Sequence, residues 1–282
     1  MLQSNVQDLP RPLEAALPAV PSNAAIAWND IWDGFRQSWF WGALAMQDIK
    51  LRYRGSMIGP FWITLSMAIM VGAMGLIYAK LFHQDIASYL PFLTVGVIVW
   101  SFVAGQINEG CQTFMATQGL IQSVPLPFSV HAYRQVARNF IMLAHNLVIL
   151  PPVLLIFHIP VTWRMLEVVP ALVLLSINSV WIAISFGIVS ARFRDVPQIV
   201  QNFVTIAFFV TPIFWPPTQL GRWQGLFELN PLFAAVDIVR SPIMGQATAP
   251  YSWSIMLGVT AIGWGATFLL FSRFYSRIAY WV

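Results

Sequence analysis

Residues 58–82 read IGPFWITLSMAIMVGAMGLIYAKLF and contain a single charged side chain, Lys80. An α-helix rises about 1.5 Å per residue and a bilayer's hydrocarbon core is about 30 Å thick, so a run of this length and polarity spans a membrane. Five further runs have the same character, at 90–107, 139–158, 168–190, 198–215 and 252–272. The third contains Pro151-Pro152, tolerated in lipid when neighbouring helices re-satisfy the freed carbonyls. The whole chain agrees: of 282 residues, 58% are hydrophobic and 9% charged, with a mean hydropathy of +0.68. A soluble domain carries roughly 25% charged residues to cover its surface. The expected fold class is an all-α integral membrane protein, with residues 49–282 forming a six-span domain.

The basic residues set the expected orientation. With the N-terminus inside, Arg11, Arg36, Lys50, Arg52, Arg54, Arg134, Arg138, Arg192, Arg194, Arg273 and Arg277 are cytoplasmic, and only Lys80, Arg164, Arg222 and Arg240 lie outside. That bias predicts both termini in the cytoplasm. Lys80 is expected to reach toward Asp85. A pI near 9.5 raises the question of nucleic acid, but the basic residues lie between apolar runs and form no patch, so no nucleic-acid partner is expected. The one cysteine, Cys111, excludes an intramolecular disulfide and a cysteine-rich metal site. Residues 1–25 carry Asp8, Glu14 and the prolines Pro10, Pro12, Pro18 and Pro21 without an apolar run. They read as a flexible cytoplasmic tail, with no signal peptide.

The pieces that do not span are the informative ones. Residues 26–46, IAWNDIWDGFRQSWFWGALAM, place Trp28, Ile31, Trp32, Phe35 and Trp39 on one helical face, with Asn29, Asp30, Asp33, Arg36 and Gln37 on the other. This predicts an amphipathic helix over 26–48 lying in the membrane interface. The approach to the first span, DIKLRYRGSMIGPFW (48–62), supplies Lys50, Arg52, Tyr53 and Arg54, a basic cluster suited to an anionic inner leaflet. Gly59 and Pro60 follow, and proline suits a helix's first turn, where its missing N–H is no loss. Residues 108–138 form a cytoplasmic connection with a short helix expected near Gln112–Ile121, ended by Pro125 and Pro127. Residues 216–251 form an external segment in which 218–228 and 231–241, parted by Asn230-Pro231, read as two half-helices re-entering the outer leaflet. In the cluster Arg192, Arg194, Asp195, the acid is the expected N-cap of the next helix and Pro197 sits early in it.

Polar residues inside the spans (His145, Asn146, Asn178, Gln201, Asn202) suit interhelical hydrogen bonds or a cavity wall. No carboxylate is spaced to join His145, and His131 lies outside the span, so no metal site is expected. The chain also lacks a GxxxxGK[ST] loop and any Gly-Lys pair, so it has no such cradle for ATP phosphates.

Four stretches carry a family resemblance. These are 48–62 above, YLPFLTVGVIVWSFVAGQINEGCQTF (89–114), GLIQSVPLPFSVHAYRQVARNFIMLAHNLVI (119–149) and ARFRDVPQIVQNFVTIAFFVTPIFW (191–215). In this order they resemble the permease subunits of ABC exporters for cell-surface polysaccharide: lipopolysaccharide O-antigen, capsule and teichoic acid. The third is most similar to the O-antigen type, although some relatives are more basic where Gln122 and Ser123 stand here. The resemblance covers nearly everything from about residue 30 to 275. It implies a homodimer in the bacterial inner membrane, paired with two copies of a separate ATPase chain that holds ATP and magnesium; this chain carries no cofactor. It further implies that Gln112, Phe114, Gln118, Gly119, Leu120, Ile121, Pro125 and Pro127 belong to the ATPase-coupling segment. The 26–46 helix resembles the family's gate helix, with Trp28, Trp32, Phe35 and Trp39 as its aromatic face. The implied substrate is a lipid-linked polysaccharide. A path for it must neither trap sugars by charge nor bind them tightly, and aromatic faces that stack on sugar C–H faces permit sliding. Tyr78, Trp100, Phe102, Phe208, Phe209, Phe214 and Trp215 are the candidate lining.

Two other functions fit the composition. A membrane enzyme acting on polyprenyl-linked sugars would need paired carboxylates or a basic pyrophosphate site. Instead Asp85 and Glu167 are isolated, and Glu228 and Asp237 stand apart without a companion acid. A drug or small-lipid exporter of the same superfamily is the other, discriminated by its cargo. A secondary transporter would show an internal repeat and a charged midplane site, and neither is visible.

Overall fold

The structure is a computed structural model that describes residues 22–217, 221 and 223–282; the expected tail lies almost wholly outside the described residues. Among these the chain is helical, with no strand. The helices are α1 Asn23–Arg36, α2 Ser38–Arg52, α3 Phe61–Leu81, α4 Ile86–Gly110, α5 Gln118–Ser123, α6 Phe128–Leu147, α7 Leu150–Ile156, α8 Val168–Arg192, α9 Val196–Val210, α10 Gln224–Glu228, α11 Pro231–Ile243 and α12 Ser252–Trp281. Among the described residues five segments are long and apolar enough to cross a membrane: Phe61–Leu81, Ile86–Gly110, Phe128–Ile156, Trp163–Arg192 and Ser252–Trp281. The chain is an all-α multi-pass membrane protein. The end of the bundle that holds residues 111–127 is called proximal below, and the end that holds 211–251 distal.

Three element boundaries differ from expectation for local reasons. The run 198–215 yields only the 15-residue helix α9. Thr211 precedes Pro212 and takes an extended conformation with ψ 137°, because a following proline ring disfavours the helical region. The third span starts at Phe128, well before residue 139, and breaks at Val148–Ile149, so that Pro151 and Pro152 fall in the first turn of α7. The region 26–46 breaks at Gln37 into α1 and α2. Elsewhere the turn chemistry is as read: Pro60 occupies the N-cap of α3, and Gly55 and Gly59 before it have φ of +81° and +56°, which glycine adopts without a Cβ clash. The expected Lys80–Asp85 pair is absent from the ion pairs of the described residues.

Helix α4 is the centre of the bundle, buried along most of its length and packed by α3, α6, α8, α9 and α11. Helices α8 and α12 run parallel. Asn178 Nδ2 donates to Thr260 Oγ1 at 2.8 Å, and Ser185 Oγ lies 2.6 Å from Thr267 Oγ1. The close approach depends on Gly263, where a Cβ would meet the Trp181 ring at 2.3 Å. Helix α11 is buried over nearly its whole length against α4, α8 and α12. A helix too short to span needs such cover in lipid. The stretch 218–228 is described only in part; Gln224–Glu228 is α-helical.

The Gly263 contact makes a contrast. Gly263→Ala is expected to lower the stability of the detergent-solubilised protein by about 1–3 kcal/mol through overpacking. Gly265→Ala, with nothing within 4 Å of the added Cβ, should leave the thermal midpoint unchanged or slightly higher. Equal midpoints for the two variants would contradict the α8–α12 packing.

Candidate functional site

At the proximal end, residues 111–127 join α4 to α6. The short helix expected near Gln112–Ile121 forms later, as the six-residue α5 at Gln118–Ser123, still ending before Pro125. A turn at 111–114 and a 3₁₀ turn at Met115–Thr117 precede it. Gln112, Gln118, Gly119 and Pro125 are exposed, and Leu120, Ile121 and Pro127 half-buried. Phe114 is different, being fully buried where a Cβ on Gly187 would meet its ring at 2.9 Å. Its ring packs edge-on to Phe128 at 6.1 Å, and Phe128 packs on Tyr275 at 5.1 Å. An aromatic clamp therefore holds the base of the connection while α5 projects from it. Phe114 anchors the segment and presents no surface to a partner.

Trp39, in the first turn of α2, is exposed, and helix α1 leaves Trp28, Trp32 and Phe35 at least half exposed. Its opposite side is not uniformly polar as read, because Ala27, Asp30 and Gly34 are buried against α6 and α12. Asp30 is only 4% exposed. Its Oδ2 accepts from the Phe128 N–H at 2.8 Å and from the Tyr275 hydroxyl at 2.9 Å, and its Oδ1 from the Ser129 N–H at 2.9 Å. Ser129 Oγ donates to the Asp30 carbonyl at 2.6 Å. The first amides of a helix lack intrahelical partners, and the residue before α6 is Pro127, which has no side-chain acceptor. Asp30 supplies that cap from another helix. Burial pushes its carboxyl above the ordinary value, against the pull of these donors. Sequence reasoning placed Asp30 on the face opposite the tryptophans, where it is, but did not show that this face is buried. The small residues Ala27 and Gly34, three before and four after it, were the available signal.

Beside this joint lies an ionic network that no local pattern announced. Asp48 on α2 accepts from Arg134 Nε at 2.8 Å and Nη2 at 2.5 Å, and from Arg138 at 3.1 Å. Arg138 also reaches Glu109 on α4 at 2.7 Å, and Arg52 approaches Glu109 at 3.5 Å. Two acids and three arginines thus tie α2, α4 and α6 together. Burial raises the Asp48 carboxyl, but the hydrogen bonds and charge of Arg134, then Arg138, outweigh it and hold it below its ordinary value. Of the other expected site residues, Tyr53 is half-buried and Arg54 exposed in the α2–α3 turn. Arg192 lies over the Phe193 and Trp281 rings at 5.2 and 5.8 Å, and Arg194 is exposed. Asp195 occupies the N-cap of α9 as read, but its side chain makes no capping bond.

On the face built by α3, α4 and α9, the candidate lining residues come together. Trp100 and Phe208 are 6.0 Å apart, Phe208 and Phe214 5.3 Å, Phe208 and Phe209 5.4 Å, and Tyr78 and Phe214 5.3 Å. Phe102 does not join them; it is buried against Phe140 at 4.7 Å. Trp215 packs on Phe227 at 5.5 Å. Helix α9 buries Val204 and Ala207 and exposes two distinct strips. Ile199, Phe203, Ile206 and Val210 form an apolar one. Gln198, Gln201, Asn202 and Thr205, at helical spacing with Phe209 in line, form a polar one. Next to it lies a groove of about 320 Å³ lined by Met67, Met70, Trp100, Ser101, Thr205 and Phe209, among others.

The break after α9 is held by side chains. Arg240, buried on α11, donates to the carbonyls of Pro212 at 2.9 Å and Ile213 at 3.3 Å and sits over the Phe92 ring at 4.1 Å. The Tyr89 hydroxyl donates to the Phe214 carbonyl, Trp215 Nε1 to the Phe209 carbonyl at 3.1 Å, and Asn230 Nδ2 to Thr211 Oγ1 at 3.0 Å. A second acid on α11, Asp237, accepts from Ser241, Ser252 and the Ala249 N–H at 2.6–2.8 Å. Among the described residues no cluster of three or more His, Cys, Asp or Glu side chains is arranged to hold a metal ion.

The network yields a prediction with a sign. A carboxyl depressed in the folded state stabilises the fold above its unfolded value, near 3.8, and loses that contribution as pH falls. Asp48→Asn is expected to cost about 1–3 kcal/mol at pH 7 by leaving Arg134 and Arg138 short of a partner. The gap between wild type and variant should narrow in unfolding scans as pH is lowered through 4. A gap independent of pH would contradict the network.

Comparison with known proteins agrees with this architecture. Residues 40–244, well over half of the chain, match the family ABC2_membrane, the ABC-2 type transporters. The chain is similar to an O-antigen export system permease protein RfbA of Myxococcus xanthus, 25% identical over 198 residues that cover 67% of this chain and 74% of that protein. It is also similar to a protein of the same name from Klebsiella pneumoniae, 23% identical over 221 residues covering 77% and 84% respectively. With its bundle of apolar helices and a match across most of its length, the chain belongs to the ABC-2 type transporter family and is its membrane-embedded transport subunit.

Proposed function

We propose that this chain forms the transmembrane path of an ATP-driven exporter of lipid-linked polysaccharide, of the O-antigen class. On this reading it acts as a homodimer in the bacterial inner membrane, with both termini in the cytoplasm, and works with two copies of a separate ATPase that binds ATP and magnesium. The observation that carries the reading is the polar strip of α9, with Phe209 in line and the Trp100–Phe208–Phe214 aromatic cluster beside it. Amide and hydroxyl groups exposed on a membrane helix are costly against acyl chains and belong on a water-filled surface. The neighbouring apolar strip, Ile199, Phe203, Ile206 and Val210, suits lipid or protein. Two copies facing each other across their polar strips would enclose a wet path with aromatic patches and no charged side chain on the strip, a surface over which a neutral sugar chain slides. Both the proteins similar to this chain that are named above carry O-antigen export in their names, which supports the choice of cargo.

The energy enters at the proximal end. Helix α5, exposed and clamped at its base by Phe114 and Phe128, is the lever that docks on the ATPase; Gln118, Gly119, Leu120 and Ile121 are its contact residues, and Pro125 and Pro127 lead the motion into α6. Helix α1, with its exposed tryptophans, is the gate at the membrane surface, and α10–α11 form the re-entrant cover of the distal exit.

Two experiments test this. A clean deletion in the native bacterium should abolish surface polysaccharide and accumulate its lipid-linked form inside; normal surface glycan would refute the cargo. Replacing residues 118–127 with a Gly/Ser linker should leave the bundle folded but abolish ATPase association and export. Retained association with continued export would refute the coupling assignment.

A further inference from the structure

Helix α1 reaches the rest of the molecule in two ways that differ in kind. Toward its C-terminus it ends at Gln37, where the backbone leaves helical geometry (φ −83°, ψ 37°) before α2 begins. Helix α2 is fixed separately, through Asp48 to Arg134 and Arg138 on α6. Within its length, α1 is fixed by Asp30. Both carboxylate oxygens of that residue are occupied by the first two amides of α6 and the Tyr275 hydroxyl, and its carbonyl takes the Ser129 hydroxyl. The next carbonyl, Ile31, accepts from Tyr133 at 3.2 Å. Gly34 lets the two helices approach so closely that a Cβ there would lie 2.1 Å from Ser129 Oγ. Phe128 and Ser129 immediately follow Pro127, the end of the segment that carries α5.

We propose that Asp30 is the positioning residue that transmits movement of the 118–127 segment to α1, with α1 pivoting about Gln37. This rests on the coupling assignment made for that segment. A displacement of the segment moves the start of α6, and the amides of Phe128 and Ser129 carry the Asp30 carboxylate, and α1 with it. A rigid carboxylate accepting three donors on two helices transmits such a movement, whereas packing alone would let α1 lag. The groove beside the joint, lined by Asn29, Asp33, Pro125, Leu126, Pro127 and Tyr275 among others, leaves the outer side of the joint free.

The test uses the complete complex with its ATPase, reconstituted in vesicles with polyprenyl-linked polysaccharide extracted from cells lacking this chain. Asp30→Asn keeps the size of the side chain but replaces one acceptor oxygen with a donor. The variant complex is expected to assemble and hydrolyse ATP while polysaccharide moved per ATP falls about tenfold, the scale of a coupling residue that touches neither ligand. In that background, Gly34→Cys with Ser129→Cys should restore the ratio on oxidation and lose it on reduction. The Cβ positions lie 3.1 Å apart, within a few tenths of an ångström of disulfide spacing of about 3.5–4.5 Å, and the native Cys111 is buried. An unchanged ratio in Asp30→Asn overturns the proposal. So does a parallel fall of hydrolysis and export that the disulfide does not repair, since that is the mark of a structural role. If Asp30→Asn does not assemble, Tyr275→Phe, which removes one donor only, must lower the ratio; a wild-type ratio there overturns the proposal too. If instead the 118–127 linker variant still exports, it is the coupling assignment that fails, whatever Asp30→Asn does.

Discussion

A buried backbone amide or carbonyl without a partner is costly, by several kcal/mol in hydrocarbon, and two breaks of this bundle are held by side chains that meet that need. Where α9 ends before Pro212, Arg240, Tyr89 and Trp215 donate to the carbonyls of Pro212, Ile213, Phe214 and Phe209. Where α6 begins after Pro127, Asp30 accepts from its first amides. Trp215 acts from within the first break, but Arg240, Tyr89 and Asp30 come from other helices, so the repair of a local defect becomes a tertiary tie. The breaks are therefore rigid joints between helices, and the candidate functional surfaces sit on either side of them: the aromatic face and polar strip of α9 before one, α5 and α1 around the other.

This division explains what was legible in the sequence. Long apolar runs reveal spans because length and polarity alone decide them: three of the six expected runs, 90–107, 168–190 and 252–272, lie within long helices, and 58–82 overlaps nearly all of α3. The run 198–215 was misjudged because hydropathy does not register that Pro212 ends the helix at Val210. The split at Gln37 was invisible for a related reason. The tryptophan spacing from Trp28 to Trp39 continues through it, so periodicity reports one helix where the backbone forms two.

The site was legible in part. Aromatics chosen for composition alone, Tyr78, Trp100, Phe208, Phe209 and Phe214, converge because α3, α4 and α9 pack together. Phe102, on the opposite side of α4, does not. Phe114 looked like a contact residue and is an anchor. Asp48, Glu109, Arg134 and Arg138 form one network from positions up to 90 residues apart, and nothing local marks such partners. Asp30 reads from sequence only as part of the polar face of an interfacial helix; its burial beside a proline-led helix start is a property of the fold.

On the proposed reading, these features describe a subunit that contributes a path and leaves the chemistry of energy release to a second protein. In that reading the aromatic and polar surfaces of α9 would be the sliding wall, and the proximal joints connect that wall's bundle to the short helix α5. The most direct measurement is transport in proteoliposomes containing lipid-linked polysaccharide, with this chain and its ATPase present together or singly. The account predicts ATP-dependent transfer of glycan across the bilayer only when both chains are present. Transfer by this chain without ATP, or by the ATPase without this chain, would contradict it.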